Sequence, residues 1–190
     1  MTPLHAKLFF LAAFFASQSN NTLLAAPLTA IGNSDIISVQ VLGSSDFCKD
    51  QAQCGNALKI TFANGRTRLI RKEDWAAAIW GYLISEDHLS LSWFLADTEL
   101  DRDGRISRVD AFRSGSLVHS FDCGHFGTSV NSYFAEHGKW LVLSCSDYHQ
   151  EGYGIRLLMD VVSGRQISQI RSNEHGETPR GAPRWAQHEQ

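Results

Sequence analysis

Residues 99–110 read Glu-Leu-Asp-Arg-Asp-Gly-Arg-Ile-Ser-Arg-Val-Asp. Glu99, Asp101 and Asp103 alternate, Gly104 permits a sharp turn, and Ser107 and Asp110 follow. That pattern suits a hard cation. Calcium takes six to eight oxygen ligands, and alternate acids in a tight loop converge on one point. The candidate metal set is therefore Glu99, Asp101, Asp103, Arg105, Ser107 and Asp110, with calcium as the ion. Arg102 and Arg105 place positive charge beside any such ion. Asp and Gly also initiate turns with no ion present, which is the alternative reading of the same residues.

With Gly104 at the sixth position, the run resembles the EF-hand loop. Glu stands first where that family uses Asp, and Asp110 stands last where a bidentate Glu is usual. An EF-hand also needs flanking helices. Leu89–Leu95 alternates like a strand, and Ile106–Phe112 runs into a Ser-Gly hairpin signal. The loop is thus more similar to the strand-flanked calcium loops of integrin-type propeller hairpins.

Residues 146–154 offer a different chemistry. Asp147, Tyr148, His149, Glu151 and Tyr153 form a mixed aromatic and polar set of the kind found on recognition surfaces. A third cluster, His119, Asp122, Cys123 and His125, contains a thiol and two imidazoles. A nucleophilic Cys with a His base is conceivable there, but Cys123 is expected to be oxidised. The chain has four cysteines, and an even count in an exported protein favours two disulfides. Three pairings are open. The expected one is Cys48–Cys54, closing a short polar loop, with Cys123–Cys145. No Gly-x-Ser-x-Gly, His-Glu-x-x-His or Gly-rich phosphate loop is present. Catalysis is therefore the less favoured class, with a small exported hydrolase as an alternative.

These loops need elements to hold them. Three alternating apolar runs begin at Ile37, Leu89 and Leu141, about 50 residues apart. Each is followed by a hairpin signal: Asn64-Gly65, Ser114-Gly115 and Ser163-Gly164. The reading is an all-β fold of three consecutive four-stranded antiparallel meanders, over residues 28–70, 79–121 and 130–170. The expected strands of the first are Leu28–Ile31, Ile36–Leu42, Leu58–Phe62 and Thr67–Ile70. One short helix is expected near 72–79, where an alanine run follows Glu73 and Asp74. The stretch 139–170 resembles WD40-like and related β-propeller blades. The Trp-Asp dipeptide of WD40 repeats is missing, since Trp140 lies in the second strand of its unit. Three units fall short of the four to eight blades of a closed propeller, so an open fan or a barrel or sandwich packing is expected. The whole also resembles small exported bacterial proteins of unknown function. Equivalent positions place the three long loops on one rim.

The ends frame this domain. Lys7 precedes the nine apolar residues Leu8–Ala16, too short to span a bilayer and suited to a signal-peptide core. Residues 1–26 are read as that signal, with cleavage somewhere in 17–26, and the location as periplasmic or extracellular. Residues 27–171 form one domain, and the polar segment 172–190 reads as a flexible tail. A net charge of −3 argues against the basic surface of a nucleic-acid binder. The expectation is a non-enzymatic binding or scaffold module with a protein or glycan partner and no integral membrane segment. Oligomers are compatible with it. No cofactor is expected beyond the candidate calcium, and a calcium-dependent structural module is the second reading.

Overall fold

The computed structural model describes residues 34–43, 48, 53–74, 76–97, 106–124, 129–146, 154–172 and 177–187. Eleven strands form three antiparallel meanders. Sheet 1 contains β1 (Ile36–Leu42), β2 (Ala57–Phe62) and β3 (Thr67–Arg71). Sheet 2 contains β4 (Ala76–Ile84), β5 (Ser90–Asp97), β6 (Ile106–Arg113) and β7 (His119–Phe121). Sheet 3 contains β8 (Ser129–Ala135), β9 (Trp140–Ser146), β10 (Gly154–Asp160) and β11 (Gln166–Arg171). In each sheet the strands lie in sequence order, and the three sheets do not close into a barrel. The strand expected at Leu28–Ile31 and the segment read as a signal lie outside the described residues.

Strand alternation explains the stacking. Leu91, Trp93 and Leu95 on β5 and Phe112 on β6 pack with Ile36, Leu58, Ile60 and Phe62 of sheet 1. The opposite face of sheet 2 sends Val109, Ala111 and Phe121 against Leu141, Leu143, Ile155 and Leu157 of sheet 3. Sheet 2 is thus a middle layer, buried on both faces. Successive side chains of one strand point to opposite faces, so β6 serves both cores.

The helix expected near 72–79 is corrected: no α-helix occurs among the described residues, and β4 begins at Ala76. Tertiary packing overrides the helical propensity of alanine here. Ala76 and Ala78 are fully buried, and Ala78 packs on the Cys48–Cys54 pair. Their smallness lets neighbouring elements approach. Glu73, read as an acidic first-turn residue, instead ion-pairs with Arg108 at 2.6 Å.

Residues 177–187 belong to the segment 172–190 read as a flexible tail. They carry a 3-10 turn, Arg184–Ala186, and lie over the outer face of sheet 3. Tyr133, Val142 and Leu158 share one row of that face by register. The Tyr133 hydroxyl donates to the Trp185 carbonyl, and Arg156 donates to the Ala186 carbonyl. Val142, Leu158 and Ala186 are buried. The outer face of sheet 1 differs: its row Gln40, Lys59, Leu69 is exposed.

Candidate functional site

The stack has two rims of opposite character. The connections β1–β2, β5–β6 and β9–β10 leave one end, and the tight turns occupy the other. Both disulfides lie at the end bearing the long connections. Cys123, just past β7, bonds to Cys145 near the end of β9 and ties sheet 2 to sheet 3. Cys48 bonds to Cys54, and Gly55 then forms a two-way backbone bridge with Ile79 of β4. The pairing Cys48–Cys54 and Cys123–Cys145 read from the sequence is the one formed. Cys123 is consequently no free thiol. Disulfides of this kind form and persist in oxidising compartments.

Close to this rim sits a charged cluster. Arg108 reaches Glu73, and its Nη2 donates to Asp110 Oδ2 at 3.0 Å. Arg108 Nε lies 2.8 Å from Asp110 Oδ1, an ion-pair contact without hydrogen-bond alignment. Asp110 stands opposite Trp93 on the face of sheet 2 that meets sheet 1. Burial pushes its carboxyl above the usual range, and hydrogen bonds from Arg108 and Ser120 with the Arg108 charge offset this only in part. Ser107 donates to the Leu95 carbonyl. Of the calcium set, Ser107 and Asp110 are thus engaged within the sheet. Glu99, Asp101, Asp103 and Arg105 lie outside the described residues. So do Asp147, Tyr148, His149, Glu151 and Tyr153, although the strands flanking that loop end at Ser146 and begin at Gly154.

The turn rim is held by polar contacts. His88 exchanges bonds with Ile36 through its carbonyl at 2.8 Å and through Nδ1 at 3.1 Å. The Ser34 N–H donates to Ser114 Oγ at 2.7 Å. Arg113, at the end of β6, ties together the β4–β5 and β8–β9 turns, contacting Asp87 at 2.5 Å, Ser90 Oγ at 3.0 Å and the His137 carbonyl at 2.9 Å. Burial raises the Asp87 carboxyl, but hydrogen bonds from Arg113, Ser85 and the Leu89 N–H, with the Arg113 charge, outweigh it and hold the group below its usual value. Ser90 Oγ donates to the Gly138 carbonyl at 2.6 Å. Gly138 has a φ of 80°, and a Cβ there would lie 2.4 Å from the Ser85 Cβ. Only glycine allows that approach between two turns.

Between this rim and the tail is a cleft of about 410 Å³, bordered by Glu86, Phe134, Glu136, His137, Arg184 and Trp185. Sequence alone reads Glu86 and Glu136 as solvated turn residues and gives Trp185 no place. The available signal is a turn, Glu136-His137-Gly138-Lys139, whose first two positions hold neither Gly nor Asn.

These features define an all-β protein of stacked antiparallel meanders with blade-like units. No family model and no curated protein sequence matches the chain. Among solved structures it is similar to one described as the structure of the Dos1 propeller, at 14% identity and a TM-score of 0.37. The match covers 75% of this chain and 35% of that one, so the chain spans about a third of that structure's length. The fold assignment rests on this chain's own strand order and register. No helix among the described residues is long and apolar enough to cross a membrane.

Proposed function

We propose that this chain is an exported, non-enzymatic binding or scaffold module whose partner, a protein or a glycan, engages the rim carrying the long connections. The observation that supports this most is the placement of both disulfides at that end. A covalently pinned rim can present loops at low ordering cost, the general advantage of preorganisation. Loops carried by a rigid scaffold are the usual seat of recognition. Export is supported by the two disulfides and by the apolar stretch Leu8–Ala16 behind Lys7.

Site-specific photo-crosslinking tests the reading. A photoreactive side chain at Tyr148 or Tyr153 is compared with one at Thr61 on the outer face of sheet 1. The same discrete adduct from both loop positions and none from Thr61 is expected in the extracytoplasmic fraction. Identical adduct patterns from all three positions would overturn it.

A further inference from the structure

We propose that the cleft beside the turn rim is a binding site for a neutral saccharide, separate from the loop rim and independent of its role. The cleft of about 410 Å³ falls within the size range of small-molecule pockets. Its walls come from two parts of the chain. Phe134 and Trp185 are half-buried and supply apolar and aromatic surface; Glu86, Glu136, His137 and Arg184 are exposed and supply polar groups. An aromatic face flanked by both hydrogen-bond acceptors and donors matches the alternating apolar faces and hydroxyl edges of a pyranose ring.

The mixture of charges selects among ligand classes. An anion would meet the carboxylates of Glu86 and Glu136, and a cation would meet Arg184. A neutral polyhydroxylated ligand can donate to the carboxylates and accept from the guanidinium at once. His137 Nδ1 lies 3.7 Å from Glu86 Oε2, so these two side chains already converge.

Two further observations set this cleft apart from an ordinary surface hollow. Glu136 and His137 adopt φ values of 49° and 52°, a left-handed backbone that non-glycine residues rarely take. Glycine or asparagine takes that backbone with less strain, and the two larger side chains that stand there both border the cleft. The walls are also fixed before any ligand arrives. Arg113 and Ser90 hold the carbonyls of His137 and Gly138, and the Tyr133 hydroxyl holds the Trp185 carbonyl.

The test is titration calorimetry of the full folded chain with glucose, galactose, mannose, N-acetylglucosamine, cellobiose and chitobiose, each to about 50 mM, with spermidine and citrate as charged comparators. At least one neutral sugar should bind with one-to-one stoichiometry and a Kd of roughly millimolar order. Its affinity should fall about tenfold in Glu136→Gln and in Arg184→Gln, and binding should vanish in Trp185→Ala. Trp185 anchors the tail through its main-chain oxygen, so removing the ring leaves that anchor available. Glu136→Gln keeps the exposed turn, and circular dichroism confirms the fold of each variant. No heat with any neutral sugar, stronger binding of spermidine or citrate, or unchanged sugar binding in folded Trp185→Ala would each overturn the proposal. Loop-rim adducts should persist in Trp185→Ala, so the two sites fail or stand separately.

Discussion

At the scale of single residues, two aspartates show how placement reverses the effect of one chemical group. Asp87 lies in a turn that sequence alone reads as solvated, yet it carries the ion pair to Arg113. Its carboxyl is held below the usual range of an aspartate. A carboxylate lowered in the fold adds stability above its unfolded value, and this is lost as pH falls through the folded value. Asp110 has the opposite sign: burial raises its carboxyl, so protonation favours the fold as pH drops through that raised value. Asp87→Asn should therefore cost about 1–3 kcal/mol near neutral pH, the worth of a hydrogen-bonded charge pair. The difference from the parent should begin to shrink near the unfolded value of roughly 4 and be lost as pH falls through the lower folded value. Urea unfolding near neutral pH and below that folded value checks this; a gap that stays constant would refute the assignment. None of this was legible beforehand, because Asp87 and Arg113 meet only when two turns of sheet 2 converge.

At the scale of elements, alternation carried most of the fold. The runs starting at Ile37, Leu89 and Leu141 lie in or lead into β1, β5 and β9, and Leu91, Trp93, Leu141 and Leu143 build the two inter-sheet cores; in β1 the register shifts between Ile36 and Ser38, so Ile36 is buried and Ile37 exposed. The glycine turns were readable because Gly65, Gly115 and Gly164 all need positive φ. The alanine run misled for a physical reason. Helix propensity is local, whereas Ala76 and Ala78 are small because other elements press on them. The metal and recognition loops were equally visible as sequence, but only Ser107 and Asp110 of those sets fall among the described residues, both committed to β-sheet contacts. The cysteine pairing was legible from spacing, and its consequence differs between the bonds. Cys123–Cys145 spans 22 residues and joins two sheets; Cys48–Cys54 spans 6. On loop-closure entropy their removal should cost about 3 and about 2 kcal/mol respectively. Thermal melts of the Cys123→Ser/Cys145→Ser and Cys48→Ser/Cys54→Ser pairs should show the larger drop for the first. The reverse order would mean that the bridge between sheets 2 and 3 adds little to what packing already provides.

At the scale of the whole molecule, three stacked units leave two outer faces, and repeat architectures stay soluble only if such faces are capped. This chain caps them differently. Sheet 1 exposes a largely polar row through Gln40 and Lys59, whereas sheet 3 would expose Val142, Leu158 and the Tyr133 ring were it bare. Residues 177–187 cover that second face, with the Trp185 and Ala186 carbonyls held by Tyr133 and Arg156. Burying Val142 and Leu158 contributes about 1.5–3 kcal/mol each, against the entropy of ordering the tail. A chain ending at Ser172 should therefore keep its three sheets by circular dichroism, unfold at lower urea, bind a hydrophobic dye and self-associate with rising concentration. Ala186→Asp, which places a charge at a fully buried position of the tail, should reproduce the dye binding at full length. Unchanged urea midpoints and no dye binding in either variant would show that the outer face of sheet 3 does not depend on its cover.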